Sequence, residues 1–312
     1  MSAYVLRRLW QMIPTLAGVI LLVFFLFNWI GGDPAYVLAG LFSNQEQIDS
    51  IRAELGLDQP LTVQLWIFVK QVATFNFGNS WTTGESVASI FATRLPASLT
   101  LMVPLLIIET LVALALAVGL AWVRGSATDR GTMVVFTGLM SVSILVFIIL
   151  GQNVLAYRMG WFPVQGWSDD FWKNISTFAP LPILLGLLVS IAPNTRLFRS
   201  FVLDEIDQDY VRTARAKGLS EPRVMFIHVL RNALIPVITF VISHIPTLLL
   251  GAFLLERFFG IPGVGREIIL AVERSDFPVI KAVTVYVAIA TMIFNLIGDV
   301  LYRLTDPRVQ LR

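Results

Sequence analysis

The stretch ASLTLMVPLLIIETLVALALAVGLAWV, residues 97–123, contains one ionisable side chain, Glu109, in 27 residues. An α-helix rises 1.5 Å per residue, so about 20 apolar residues are enough to cross the hydrocarbon core of a bilayer. The whole chain has the same character, because 56% of its 312 residues are hydrophobic and only 14% are charged. An average soluble domain has about 25% charged residues. The composition therefore predicts an all-α integral membrane protein.

Five further stretches are apolar and long enough to cross the membrane. In chain order, the six predicted spans are residues 9–30, 97–123, 131–156, 180–197, 233–255 and 282–301. They divide the chain into an N-terminus with the first span (1–30), a long loop (31–96) and a core of five spans (97–312). In the long loop, Leu61, Leu65, Phe68 and Val72 recur at helical spacing, which indicates an amphipathic helix lying against the membrane or the bundle.

The distribution of Lys and Arg predicts the orientation of these spans. Fourteen of the 23 basic residues fall on the face that carries both termini, and nine fall on the other face. Loops rich in Lys and Arg remain on the cytoplasmic side. Both termini are therefore expected to be cytoplasmic, and the loop 31–96 is expected to lie outside the cell. The first apolar run is too long for a cleaved signal peptide and is interpreted as a retained span.

Several kinds of chemistry are excluded by what the sequence lacks. It has no cysteine and only two histidines, which excludes disulfides and thiolate sites and disfavours a histidine-rich metal centre. It also lacks the G-x-x-x-x-G-K-[ST] pattern of a phosphate-binding loop. The glycine-rich stretch 260–266 has no Lys-Ser/Thr and is interpreted as a tight turn. Any energy for transport must come from another subunit or from an ion gradient.

One segment, DYVRTARAKGLSEPRVMFIHVLRNALIP at residues 209–236, is far more charged than its surroundings. Acidic residues precede basic ones, in the order that complements a helix dipole. The acids are Asp204, Glu205, Asp207 and Asp209, and the bases are Arg212, Arg215 and Lys217. Gly218 stands where a left-handed C-cap is expected, and Ser220 with Pro222 can begin the next helix. The segment predicts a helix, a glycine stop, a cap and a second helix leading into the fifth span.

Two interpretations of this segment remain open from the residues alone. It can be a solvated helical hairpin without a special role, since charged runs commonly form a wet face. Small residues beside the bases favour a docking surface instead, because they permit the close approach of another protein. These small residues are Thr213, Ala214, Ala216 and Gly218.

The charged segment resembles the EAA loop of ABC importer permeases, in the form found in the dipeptide, oligopeptide and nickel family. Other parts of the chain resemble elements of that family in the same order. They are YVLRRLWQMIPTLAGVILLVF (4–24), GDPA (32–35), LGLDQPL (55–61), FGNS (77–80), LERFFGIPGVGR (255–266) and DPR (306–308). The resemblance spans nearly the whole chain.

The resemblance implies the six-span type I importer permease fold in the bacterial inner membrane, with a coupling loop at residues 198–232. It implies a homologous second permease, two ATPase subunits that bind ATP and magnesium, and a periplasmic substrate-binding protein. It implies lipid contact, no nucleic-acid partner, no cofactor in this chain and no catalysis by it. The implied ATPase-coupling residues are Arg212, Ala214, Arg215, Lys217, Gly218 and Leu219. Arg212 stands where the general consensus of the loop has a glutamate.

The resemblance implies small peptides as substrates, with glutathione or nickel complexes as alternatives. Glu109 lies near the middle of the second span and favours either a proton relay in a stand-alone secondary transporter or a buried contact to a neighbouring helix or to the partner permease. The sequence predicts no second acid or base at that depth. A membrane scaffold is a third possibility. The candidate pathway-lining residues are Glu109, Ser243, His244 and Thr247.

Overall fold

A computed structural model describes residues 2–30, 33–39 and 44–305, and this part of the chain is almost entirely helical. In chain order the helices are α1 (Ser2–Phe25), α2 (Pro34–Ala39), α3 (Gln45–Glu54), α4 (Leu61–Thr74), α5 (Val87–Trp122), α6 (Ala127–Met140), α7 (Ile144–Gly151), α8 (Phe171–Lys173), α9 (Pro180–Ile206), α10 (Asp209–Ala216), α11 (Glu221–Arg223), α12 (Leu230–Leu248), α13 (Phe253–Phe259), α14 (Val264–Glu273) and α15 (Phe277–Thr305). Wider π-helical turns follow α1, α7, α8 and α11 at Leu26–Ile30, Gln152–Arg158, Asn174–Phe178 and Val224–Val229.

Five continuous helices are long and apolar enough to cross a membrane. They are Leu6–Trp29, Val87–Trp122, Pro180–Ile206, Glu221–Leu248 and Phe277–Val300. Five of the six predicted spans are therefore confirmed as helices. The fifth has shifted bounds: its helix already begins in the charged segment and ends at Leu248 rather than near residue 255. It stops there because the chain turns through Gly251, whose φ is +67°.

The third predicted span is wrong as a straight helix. Residues 127–158 form two helices, α6 and α7, that meet at an angle of 88°. Ser141 ends α6, and the Ser143 hydroxyl accepts a hydrogen bond from the Leu145 backbone N–H at 3.3 Å, which caps α7. A serine cap starts a new helix where the apolar sequence alone suggested continuation. The described residues thus form five unbroken spans. They form a sixth if the bent pair of α6 and α7 crosses the membrane as one unit.

The centre of the bundle is the pair α5 and α9. A Cβ added at Gly186 would lie 2.8 Å from Leu105 Cδ2, so glycine lets the two helices approach closely there. Further along, Ala113 and Ala117 of α5 are fully buried beside Phe198 of α9. Helix α12 joins this core where the Phe240 ring packs edge-on against Phe198 at 5.3 Å. Small residues on α5 thus set the spacing of three spans.

Helices α1 and α15 pack together, which brings Tyr4 and Arg8 of the first helix close to Asp299 of the last. The Asp299 carboxylate of α15 accepts a hydrogen bond from Tyr4 at 2.9 Å and an ion pair from Arg8 at 2.9 Å. The predicted motif at residues 306–308, and Gly32 of the predicted motif at 32–35, lie outside the described residues.

The loop 31–96 contributes packed helices. Helix α4 buries Phe68 and Val72 against α1 and α15, as the helical spacing predicted, and Leu65 packs beside them. Leu61 is 48% exposed, so the predicted stripe is wrong at its first position. Helix α5 begins at Val87, ten residues before the predicted start of the second span. The division of the chain at residues 30 and 96 stays a prediction.

Candidate functional site

The charged segment folds as the sequence predicts: helix α10, a glycine stop and a second helix. Lys217 is the C-cap residue of α10, and Gly218 follows with φ +78°, in the left-handed region that glycine adopts without strain. Ser220 occupies the N-cap position of the next helix, although its side chain makes no capping hydrogen bond, and Pro222 lies in the first turn. We call the end of the bundle that carries α10 and Gly218 the basic end.

The predicted dipole complement is wrong for three of its four acids. Asp204 and Glu205 belong to the last turn of α9 and Asp207 is its C-cap, where negative charge is unfavourable. Only Asp209 begins α10. Helix α9 continues this far because Val202 is fully buried in the core of the basic end. Glu205 instead accepts a hydrogen bond from the Tyr210 hydroxyl. Partial burial, with this hydrogen bond, raises the pKa of Tyr210 to about 12.

The inward face of α10 anchors it to the bundle. Val211 is fully buried and Ala214 is 5% exposed, and both pack against Val224 and Val229 of the following helix. Ala214 is therefore a packing residue within this chain, and its predicted part in coupling to an ATPase stays a prediction. Leu219 is half-buried and packs at the edge of the same cluster.

The outward face of α10 is a small, basic surface. Its exposed residues are Arg212, Thr213, Arg215, Ala216, Lys217 and Gly218. Arg212 pairs with Asp209 at 3.3 Å, one turn earlier in the same helix. Arg215 makes two hydrogen bonds to Glu221, from Nε at 2.9 Å and from Nη2 at 3.3 Å, across the glycine turn. This clamp fixes the Arg215 side chain, and Lys217 is exposed beside it. A fixed and exposed basic surface of this kind is suited to docking of another protein.

Helix α12 carries a stripe of hydroxyl groups along one side. Thr239, Ser243 and Thr247 follow one another at intervals of four residues. Their hydroxyls donate to carbonyl oxygens of their own helix, at 3.1, 2.9 and 2.6 Å respectively. Ser243 and Thr247 are exposed. A hydroxyl whose donor is satisfied within the helix can face a water-filled path without strain and still offer oxygen lone pairs to a solute.

Glu109 has partners that the sequence did not reveal. Its carboxyl lies near the Ser190 hydroxyl of α9 and within electrostatic range of the His244 imidazole of α12, but it forms no ion pair with His244 within 4.0 Å. The prediction that no second base lies at its depth is wrong, because α5 and α12 are far apart in sequence but adjacent in the bundle. His244 Nδ1 lies 2.8 Å from the Phe240 carbonyl oxygen, which can only accept, so Nδ1 carries a hydrogen. Ser190 was not singled out in the sequence.

A cavity of about 520 Å³ lies at the basic end, on the N-terminal side of the hydroxyl stripe of α12. Its polar lining residues are Tyr210, His228, Arg231 and Asn232, and its apolar lining residues are Ile227, Leu234, Ile235 and Ile238. The cavity touches both α10, through Tyr210, and the first half of the fifth span. The sequence did not distinguish Arg231 from the other cations of the charged segment.

At the opposite end of the bundle, Glu256 is a buried carboxylate that the sequence pattern did not reveal. This side chain is 0% exposed and accepts hydrogen bonds from Ser98 Oγ at 2.7 Å and from the backbone N–H groups of Ala252 and Arg266, both at 3.0 Å. A Cβ on Gly263 would lie 2.4 Å from its Oε2. The glycine-rich stretch 260–266 is thus a turn wrapped around a carboxylate. Burial raises the pKa of Glu256, and the hydrogen bonds oppose that shift.

A second buried acid, Asp276, fastens the loop 31–96 to the bundle. It is 2% exposed and accepts hydrogen bonds from the hydroxyls of Ser80 and Thr82 and from the Trp81 backbone N–H at 3.1 Å. Ser80 ends the FGNS stretch, so this stretch and the start of α15 form one contact. No local sequence signal marks Glu256 and Asp276, because Arg257 directly follows the first and the polar residues 273–275 precede the second.

Two protein-family models match the chain. The family described as "Binding-protein-dependent transport system inner membrane component" matches residues 112–311, and its N-terminal companion matches residues 1–102. The chain belongs to this family. It is therefore a multi-pass membrane permease with the all-α type I importer fold that the family shares.

Several relatives of this permease align over 99% of both chains. A putative peptide transport system permease protein from Brucella abortus is 36% identical over 318 residues. A di/tripeptide transport system permease protein from Pseudomonas aeruginosa is 36% identical over 338 residues. A glutathione transport system permease protein from Salmonella choleraesuis is 36% identical over 312 residues.

Proposed function

We propose that this chain is the non-catalytic membrane subunit of an ATP-driven importer and forms half of a pathway for small peptides. The observation that carries the proposal is the coupling loop, in which an outward basic surface leads through one glycine turn into a spanning helix. Relatives aligned over the full length are named as peptide, di/tripeptide and glutathione permeases. Glutathione is itself a tripeptide, so all three names agree on a short peptide.

The proposed partners are a homologous second permease, two ATPase subunits and a periplasmic binding protein. One ATPase docks on the exposed face of α10, where Arg212, Arg215, Lys217 and Gly218 lie, with Leu219 at its edge. ATP and magnesium bind to the ATPases, and this chain needs no cofactor of its own. Both termini and the basic end face the cytoplasm, in the bacterial inner membrane, as the excess of Lys and Arg at that end favours.

The proposed pathway runs along the hydroxyl stripe of α12. The helix from Glu221 to Leu248 is continuous, so displacement of the docked loop is transmitted along it to Ser243, His244 and Thr247. Glu109 borders this path, near His244. The path ends at the basic end in the cavity beside Arg231.

A proton-driven secondary transporter remains the second candidate, favoured by the intramembrane pair of Glu109 and His244. The two functions differ in energy source. In cells carrying the complete gene set, uptake of a labelled peptide is expected to stop when ATP is depleted with the proton gradient maintained, and to persist when the gradient is collapsed with ATP maintained. The reverse pattern would favour the secondary transporter, and unchanged uptake after deletion of the chain would favour a scaffold.

A further inference from the structure

The cavity at the basic end has the composition of an anion-binding site. It joins a guanidinium, an imidazole, an amide and a phenol to four aliphatic side chains. Its volume of about 520 Å³ lies within the range of small-molecule sites. Such sites combine a mainly apolar lining with a few placed polar groups.

The charge of the cavity is not compensated by acids in its lining. Among the described residues, no carboxylate lies within 4.0 Å of the Arg231 guanidinium, whereas Arg212 and Arg215 nearby are both paired. Glu205, which does not line the cavity, is engaged by the Tyr210 hydroxyl. Asn232 Nδ2 donates to the His228 carbonyl at 3.3 Å, which fixes the amide at the cavity wall. Arg231 is thus the one uncompensated formal charge among the described residues of this lining.

The position of Arg231 also suits a ligand that passes through the membrane. Arg231 lies ten residues after Glu221, the first residue of the spanning helix, and therefore about 15 Å along it. The hydroxyl stripe begins two turns later, at Thr239. Tyr210 contributes to the cavity from α10, so one site contacts both the coupling helix and the proposed pathway.

We propose that Arg231, with His228 and Asn232, forms a binding site for an anionic oxygen group, and that its ligand is the C-terminal carboxylate of the transported peptide. Arginine suits this ligand because its guanidinium donates two parallel hydrogen bonds to a carboxylate. The inference rests on the proposed function for the identity of the ligand. The phosphate group of an anionic phospholipid has the same oxygen chemistry, so the test separates these two sources.

The test uses the complete transporter, purified with its partner subunits in detergent. The probes are trialanine, trialanine amide and phosphatidylglycerol, and the measurement is binding affinity from the concentration dependence of thermal stability. Trialanine is expected to stabilise the wild type and Arg231→Lys. Trialanine amide is expected to stabilise neither, because it has no C-terminal carboxylate. Arg231→Gln is expected to bind trialanine about tenfold or more weakly, because a charge-assisted hydrogen bond is lost.

Arg223→Gln is the matched control, since Arg223 is exposed in the same segment and does not line the cavity. It is expected to bind trialanine like the wild type. Stabilisation by phosphatidylglycerol but not by trialanine would overturn the peptide carboxylate as the ligand. Three other results would overturn the site. They are an equal loss of trialanine affinity in Arg231→Gln and Arg223→Gln, no response of the wild type to any probe, and loss of the partner permease from Arg231→Gln on size-exclusion chromatography.

ATP-driven uptake of trialanine into proteoliposomes made of phosphatidylcholine is measured in parallel. If the wild type binds trialanine through Arg231 but ATP drives no uptake, the proposed function fails and the site stands. If uptake is normal and Arg231→Gln transports trialanine and its amide in the same ratio as the wild type, the site fails and the proposed function stands.

Discussion

Arg215 and Glu221 face each other across the turn at Gly218, with Nε 2.9 Å from Oε1 and Nη2 3.3 Å from Oε2. This clamp closes the turn only if the backbone at Gly218 keeps its φ of +78°. The link between α10 and the fifth span therefore depends on a conformation that side chains other than glycine adopt at a cost. The coupling proposal can be tested at this residue.

Gly218→Val is expected to uncouple ATP hydrolysis from uptake while the protein still inserts into the membrane. A Cβ at this position meets no atom within 4 Å, so the effect comes from the backbone and amounts to about 1–2 kcal/mol. We expect uptake per ATP hydrolysed to fall several-fold in proteoliposomes.

Gly131→Val is the control for this substitution. Gly131 also has no atom within 4 Å of a built Cβ, but it lies in helix α6 without a positive φ. It should keep the wild-type ratio of uptake to hydrolysis. A normal ratio in Gly218→Val would contradict the role of the turn.

Glu256→Gln is expected to lower the free energy of unfolding by about 2–4 kcal/mol, because the new amide NH₂ faces N–H donors and leaves a buried donor unpaired. The measurement is thermal unfolding in detergent. Glu273→Gln is the control, since Glu273 is exposed and pairs with Arg257 only at 3.4 Å; it should change the free energy by less than about 1 kcal/mol. Equal effects of the two substitutions would refute the turn built around Glu256.

Glu256 should also give the stability a characteristic pH dependence. Its folded-state pKa is raised by burial above the ordinary value of 4.5. The resulting stabilisation is present below pH 4.5 and is lost as the pH rises through the folded-state pKa. The unfolding temperature of the wild type relative to Glu256→Gln should therefore decrease as the pH rises over this range. A difference that is constant or increases with pH would show that the pKa is not raised.

Asp276→Ala is expected to release residues 76–86 from the start of α15. The substitution leaves the Trp81 N–H and the hydroxyls of Ser80 and Thr82 without their acceptor, at a cost of about 2–4 kcal/mol. We expect faster proteolysis of this part of the loop in the folded protein. Asp58→Ala should leave the rate unchanged, because Asp58 is exposed and accepts no side-chain hydrogen bond from the described residues. Similar cleavage rates in both variants would argue against the Asp276 contact.

Glu109→Gln and His244→Gln are expected to be non-additive in stability, because the two groups lie within electrostatic range of each other inside the bundle. A double-mutant cycle should give a coupling of about 0.6 kcal/mol, the average for polar contacts between membrane helices. The same cycle with Ser243→Ala in place of His244→Gln should be additive, since the Ser243 hydroxyl bonds to its own helix. Zero coupling in the first cycle would remove the basis for a Glu109–His244 pair.

Much of the fold and of the coupling loop could be predicted from local sequence. Helix α10, the stop at Gly218 and the start at Ser220 depend on residues within a few positions of one another, and capping and φ preferences act at that range. The inward face of Ala214 could not be predicted with the same certainty. Its burial depends on Val202 and Val229, which reach it only after α9 and α12 have packed.

The sequence by itself determined that this is an all-α membrane permease with a basic, glycine-punctuated loop between its fourth and fifth spans. Apolar length, charge bias and local capping are properties of contiguous residues. Only the tertiary structure decided that Glu109 lies near Ser190 and His244, that Glu256 lies within a glycine turn with Ser98, and that α6 and α7 form a bent pair. Ser98 and Glu256 are 158 residues apart in the chain, and helix packing, which periodicity does not encode, brings such partners together.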